Sequence, residues 1–143
     1  MAVTVDELAT DTGAPDPAPD LAVVIEADRF PVAICLSGNY DPTTFRVWGV
    51  GGDAAYFTNP THYVPNLSGD HLDWLRSRVH PVLVGGEGPW EVHPTSSLPS
   101  ARRMASLLGE QGLPHELDVW GHDSAHDWPW WRRQIAHHLP RWC

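Results

Sequence analysis

Two histidines and two aspartates stand close together in residues 121–131, Gly-His-Asp-Ser-Ala-His-Asp-Trp-Pro-Trp-Trp. An imidazole can accept and return a proton near neutral pH, and a neighbouring carboxylate can hold the ring in one orientation. The apolar run before this segment, residues 117–120, predicts a strand. Asp127 and Pro129 predict the start of a helix, because aspartate caps helices and proline fits a first turn. His126, on the loop between the two elements, is therefore a candidate general base.

The same segment also offers metal ligands. His122 and His126 are four positions apart, a spacing at which two histidines on a helix bind zinc together with a third ligand. Asp123 and Asp127 add oxygen donors. However, Gly121 precedes the pair and the predicted helix begins after it. We therefore expect neither a metal ion nor another cofactor here.

Aromatic residues are concentrated in the same part of the chain. Four of the eight tryptophans of the sequence, Trp128, Trp130, Trp131 and Trp142, lie in or after the predicted last helix. Such residues can line a sugar or aromatic pocket. We expect them instead to pack the last helix against a sheet, which is the more frequent use of buried aromatic rings.

Length and charge limit the classes of protein that fit this sequence. A chain of 143 residues forms one domain and can bury about two thirds of its unfolded surface. Its net charge of −9 argues against nucleic acid or an anionic membrane as a partner. No apolar stretch reaches the length of a membrane span, and acidic residues replace the positive start of a secretory signal. We expect a cytoplasmic protein.

The chain divides into two parts. Residues 1–20 are acidic and rich in proline, and we expect them to form a disordered arm because they have little apolar surface to bury. Residues 21–143 are expected to form the folded domain. Its predicted strands are residues 32–36 and 81–85, both apolar runs bounded by turn residues, and residues 115–120. Its predicted helices are residues 70–78, 97–111 and 128–139.

The order of these elements predicts an α/β fold. Strands that alternate with helices form a parallel sheet with right-handed crossovers, here with three strands flanked by helices. Ligands of such sheets bind beyond the carboxyl ends of the strands. The loops at that edge begin at Ser37, Gly85 and Gly121, whereas residues 40–69 predict a long irregular stretch rich in glycine, proline and asparagine.

Four segments carry motifs of one known family. They are residues 29–42 (Arg-Phe-Pro-Val-Ala-Ile-Cys-Leu-Ser-Gly-Asn-Tyr-Asp-Pro), 53–60 (Asp-Ala-Ala-Tyr-Phe-Thr-Asn-Pro), 85–91 (Gly-Gly-Glu-Gly-Pro-Trp-Glu) and 120–131, with its His-Asp-Trp-Pro-x-Trp pattern. Together they resemble the C-terminal half of bacterial esterases of the α/β-hydrolase superfamily, the kind grouped with esterase D and polyhydroxybutyrate-depolymerase-like proteins. The resemblance covers about residues 28–142.

The resemblance implies hydrolysis of a small carboxylic ester by a serine, an acid and a histidine, which follow one another in that order along the chain. The histidine of the family corresponds to His126, which would take the proton of the serine and return it to the leaving alcohol. The Trp-Glu-Asp pattern of the family corresponds to Trp90, Glu91 and Val92. If the residue after the glutamate is the family's acid, it is lost at Val92, and Glu91 or Glu87 would replace it.

The serine nucleophile has no counterpart in the sequence. The family needs a Gly-x-Ser-x-Gly turn upstream of Phe30, where no serine occurs, and neither Ser37 nor Ser68 has a glycine two positions before it. We therefore expect an esterase-like domain with His126 and Glu91 as its catalytic residues that is weak or inactive as a single chain. One alternative is a residual hydrolase that uses Ser37 or a serine of another subunit. The other is a non-catalytic module that binds or oligomerises through an exposed sheet edge.

Overall fold

The computed structural model describes residues 2–3, 29–44 and 53–143. Within these residues, four strands form one sheet in which neighbours in sequence are neighbours in space. The strands are β1 (Ala2–Val3), β2 (Val32–Leu36), β3 (His80–Gly86) and β4 (Glu116–Trp120). Strands β2, β3 and β4 are parallel, as the sequence predicts, and β1 pairs antiparallel with β2.

The strand register brings three loops to the same edge of the sheet. Leu36, at the end of β2, is paired with Val84, and Trp120, at the end of β4, is paired with Gly86. The loops that begin at Ser37, after Gly86 and at Gly121 therefore leave from one side. This is the edge at which parallel sheets bind ligands.

The three predicted helices are present with small differences at their ends. The five helices of the described residues are α1 (Asp53–Phe57), α2 (Pro60–Tyr63), α3 (Gly69–Arg76), α4 (Ser97–Glu110) and α5 (Trp128–His138). In α5, Asp127 is the N-cap and Pro129 lies in the first turn, as predicted. The helix predicted from residue 70 already begins at Gly69, so Ser68 holds the cap position and Asp70 lies in the first turn.

The stretch predicted to be irregular contains two of these helices. Asn59 caps α2 by accepting a hydrogen bond from the amide of Thr61 at 3.0 Å, and Pro60 begins the helix. Helices of four or five residues are too short to show a periodic apolar face. For that reason α1 and α2 leave no periodic signal in the sequence. Residues 45–52 of this stretch lie outside the described part of the chain.

Helices cover both faces of the sheet. On one face, Ala33, Cys35 and Leu83 pack with buried residues of α3 and α4, which include Leu72, Leu75, Ala101, Ala105 and Leu108. On the other face, Ile34, Leu36, Val82 and Val84 pack against Trp120 and against Trp131 and Ile135 of α5. Alternate side chains of β2 and β3 thus enter two cores, which is why both strands are continuous apolar runs in the sequence.

The predicted arm, residues 1–20, is described only at β1, and the remainder lies outside the described residues. The domain boundary at residue 20 therefore stays a prediction. No helix of the described residues has the length and apolar character needed to cross a membrane.

The C-terminus is attached to the sheet through charged groups. A single turn of 3-10 helix, Leu139–Arg141, follows α5. The guanidinium of Arg141 donates to both carboxylate oxygens of Glu116 on β4, at 2.7 and 2.9 Å, and His80 of β3 lies 3.2 Å from the same carboxylate. The hydrogen bond from Arg141 is the main cause that lowers the pKa of Glu116 below its ordinary value.

This contact predicts a pH dependence of stability. A carboxyl group with a lowered pKa in the folded state stabilises the fold above its unfolded pKa, and this contribution is lost as the pH falls through the folded value. We expect Arg141→Gln to lower the thermal midpoint near neutral pH, and the difference from the unmodified protein to disappear at an acid pH below the lowered pKa of Glu116. Arg132→Gln is the control, because Arg132 is exposed and forms no ion pair with any acid of the described residues. Equal midpoint differences at both pH values would contradict the prediction.

Candidate functional site

Two loops meet at the carboxyl edge of the sheet. We call residues 87–95, after β3, the acid loop, and residues 121–127, after β4, the histidine loop. The amide of Gly88 donates to the carbonyl of Ser124, and the amide of His126 donates to the carbonyl of Pro89, both at 3.0 Å. These backbone hydrogen bonds fix the two loops side by side.

Glycine makes this close contact possible. A Cβ added to Gly86 would lie 2.3 Å from the carbonyl oxygen of Ser124, and one added to Gly88 would lie 2.5 Å from the same atom. Both distances are below any that real Cβ atoms tolerate. Gly86 and Gly88 are therefore required for their lack of a side chain, which lets the loops approach each other.

Glu91 is the buried acid of the site. Its side chain has no exposed surface. The chain turns at Trp90, which has a φ of +70°, and the carbonyl of Glu91 accepts a hydrogen bond from Leu98 at the start of α4. Oε1 of Glu91 accepts a hydrogen bond from Oγ of Ser37 at 2.5 Å. Oε2 has no hydrogen bond to any of the described residues and lies 3.7 Å from Nδ1 of His126.

His126 stands beside this acid. About a quarter of its side chain, 26%, is exposed, and the edge of its ring packs against Trp131 with 5.1 Å between the ring centroids. Nδ1 also lies 3.4 Å from the hydroxyl of Ser97. Nε2, on the other side of the ring, has no hydrogen-bond partner among the described residues. The ring is thus held through one nitrogen, and the other is free to exchange a proton.

Ser37, at the start of the loop after β2, is the third residue of the site. It follows β2 directly, is 4% exposed, and has a φ of +50°, a left-handed conformation that costs a residue with a side chain about 1–2 kcal/mol. Its hydroxyl donates to Glu91 and accepts a hydrogen bond from Nε1 of Trp131 at 2.9 Å. Ser37 therefore contacts the acid and makes no hydrogen bond to His126.

The geometry separates the two candidate acids. Glu91 lies beside His126, whereas Glu87 is one third exposed and pairs with Arg102 at 3.3 Å and with His122 at 3.6 Å. His122 and His126 thus have different partners. Asp127 is engaged as the cap of α5, where it accepts from the amide of Trp130. The four residues considered as metal ligands are not brought together around one point.

An open cleft borders the acid loop on the side of α4. Its volume is about 360 Å³, and it is lined by Glu87, Val92, Leu98, Pro99, Arg102 and His122. Three of these side chains are apolar and three are polar. The volume lies at the lower end of the range of small-molecule sites.

The tryptophans only partly follow the packing expectation. Trp131 packs against the sheet, as predicted, and also reaches Ser37. Trp128, the first residue of α5, is 53% exposed, and Trp90 of the acid loop is 60% exposed. Exposed indoles therefore occur on the acid loop and directly after the histidine loop.

A second polar cluster lies where α5 crosses β4. Ligand atoms of Asp118, His137 and His138 all lie within 4.8 Å of one another. However, Arg141 lies 3.3 Å from Nδ1 of His138, and a guanidinium can only donate hydrogen bonds. Nδ1 is then the acceptor, and Nε2 carries the proton that His138 donates to Asp118 at 2.9 Å. This arrangement fits a satisfied buried histidine rather than a metal ligand, which needs the lone pair of Nε2.

Comparison with known proteins finds no match to this chain. No protein-family model matches this chain, and no curated protein and no solved structure matches it either. The fold and the site define a protein of the α/β class with a buried glutamate beside a partly exposed histidine. Any function proposed for the protein rests on that geometry.

The contact between Ser37 and Glu91 is not predicted from the sequence. The sequence presents Ser37 only as a possible nucleophile, and its contact with the acid depends on how two loops distant in sequence meet. One signal was available. A serine directly after a buried parallel strand lies at the ligand-binding edge of the sheet, next to the loop of the neighbouring strand.

Proposed function

We propose that this chain is an esterase-like domain that supplies the acid–histidine half of a carboxylic ester hydrolase site. The observation that carries the proposal is the free oxygen of a fully buried glutamate, Oε2 of Glu91, 3.7 Å from Nδ1 of His126. A buried carboxylate without a full set of partners is costly, so such a group indicates a functional role. The resemblance of four sequence segments to α/β-hydrolase esterases supports the same assignment.

The two residues have distinct parts in the proposed reaction. Nε2 of His126 takes the proton of an attacking hydroxyl and later gives it to the leaving alcohol. Glu91 keeps the proton of the ring on Nδ1 and stabilises the positive charge that the ring acquires. Because Glu91 is buried, this electrostatic contribution is stronger than it would be in water.

The hydroxyl nucleophile is the part that these residues lack. No hydroxyl of the described residues donates to Nε2 of His126, and the whole sequence has no Gly-x-Ser-x-Gly motif. The Ser37 hydroxyl is buried against the acid. We therefore propose that the chain hydrolyses a small ester slowly by itself, and that a serine of another subunit would complete the site.

Hydrolysis of p-nitrophenyl acetate tests this proposal. We expect slow, saturable turnover by the purified chain and a loss of the saturable part in His126→Ala. The loss should be about tenfold, below the roughly 100- to 10,000-fold that a positioned base contributes to a complete site. His62→Ala is the matched control, because His62 of α2 is exposed and reports on the general reactivity of surface imidazoles.

Two results would contradict the proposal. Fast turnover with covalent labelling of Ser37 by a fluorophosphonate would mean a complete hydrolase in one chain. Equal rates for His126→Ala and His62→Ala would mean that no catalytic pair exists. The second result favours a binding or oligomerising module, since the outer edge of β4 is unpaired among the described residues. Sedimentation of the same samples would then show association that increases with concentration.

A further inference from the structure

Ser37 lies in a backbone conformation that a serine rarely adopts. Its φ of +50° is one of three positive values at non-glycine residues of the described chain, together with those of Trp90 and Ser96. Glycine would relieve this strain without a steric cost. A strained residue at the edge where ligands bind indicates that its side chain has a task there.

The hydrogen bonds of Ser37 define that task. Its hydroxyl donates to Oε1 of Glu91 and accepts from Nε1 of Trp131, so its proton is directed at the acid. The ring of Trp131 packs edge-on against His126, whose Nδ1 faces Oε2 of Glu91. Each side chain of the acid–histidine pair thus has a neighbour that holds it: Ser37 contacts Glu91, and Trp131 contacts both Ser37 and His126.

We infer that Ser37 is a positioning residue, which fixes the carboxylate of Glu91 so that its second oxygen faces His126. The inference rests on the proposed acid–histidine pair and excludes Ser37 as the nucleophile. With Oε1 bound to the serine, rotation of the carboxylate away from the ring would break a buried hydrogen bond. The proton of the His126 ring is therefore kept on Nδ1, and Nε2 stays available as the base.

The tautomer of His126 tests this inference without any measurement of catalysis. The ¹⁵N chemical shifts of the ring nitrogens in labelled protein report which nitrogen carries the proton, and comparison with His126→Gln assigns the signals. We expect the form protonated on Nδ1 to dominate in the unmodified protein. In Ser37→Ala and Ser37→Gly, the ratio of the two tautomers should change about fivefold, the factor expected for a lost hydrogen bond.

Ser96→Gly is the matched control. Ser96 has a φ of +57° and no side-chain capping bond, so glycine there relieves a similar strain and removes no contact with the acid.

Glu91→Gln distinguishes the role of Ser37 from the acid–histidine pair itself. A tautomer change in Glu91→Gln but not in the Ser37 variants would overturn the role of Ser37 and leave the acid–histidine pair intact. No change in any of these variants would overturn the pair itself, and the inference with it. Ser37→Gly relieves strain, so it keeps the test valid if Ser37→Ala folds poorly.

Discussion

Gly86→Ala is expected to lower the free energy of unfolding by about 3 kcal/mol, at the upper end of the usual cost of overpacking a core. The added Cβ would lie 2.3 Å from the carbonyl oxygen of Ser124 and 2.7 Å from its hydroxyl. The nearest atom belongs to the backbone, so a side-chain rotation cannot relieve the clash. The histidine loop must therefore move away from β3, and the pairing of Glu91 with His126 should be lost as well.

Gly85→Ala is the control for this substitution. It adds the same methyl group one position earlier on β3, where the nearest atom is Cδ1 of Leu98 at an ordinary distance of 3.5 Å. We expect a change within about 0.5 kcal/mol, as for substitutions that meet no special constraint. Urea denaturation measures both variants, and the ¹⁵N shifts of His126 report the position of the ring. Equal stabilities of the two variants would contradict the loop contact.

The sequence predicts β2 and β3 well because both strands have a distinct composition. Continuous apolar runs can only be accommodated where both faces are covered, which determines β2 and β3. Asp127 and Pro129 locate the start of α5 through local chemistry alone. Strand β1 has no such signal, since two residues form no pattern, and its pairing with β2 depends on contacts between distant parts of the chain.

The site is predicted less completely because it depends on loop conformation. The sequence identifies His126 as a candidate base and Glu91 as its acid, but it leaves Glu87 as an alternative. The difference arises at Trp90, whose positive φ is followed by the turn that buries the side chain of Glu91. Glu87 stays at the rim with Arg102. No local pattern encodes this choice, because it follows from the bonds between the acid loop and the histidine loop.

Glu91→Gln is expected to raise the free energy of unfolding by about 1 kcal/mol, although Glu91 lies beside a histidine. Burying a carboxylate costs several kcal/mol unless its partners are well placed, and a buried polar atom without a hydrogen bond costs about 1–3 kcal/mol. Oε2 of Glu91 has no hydrogen bond within the described residues, and His126 lies 3.7 Å away. Glutamine keeps the acceptor for Ser37 and removes the unpartnered carboxylate oxygen.

The same variant should lose the His126-dependent part of ester hydrolysis, because a neutral amide cannot stabilise the charged ring. A gain in stability together with a loss of function is typical of residues kept for activity rather than for folding. Glu87→Gln is the control, since Glu87 is partly exposed at the rim of the cleft and should change stability by less than about 0.5 kcal/mol. Urea denaturation of both variants at one pH makes the comparison. A loss of stability in Glu91→Gln with unchanged hydrolysis would make Glu91 a structural anchor and would contradict its role as the acid.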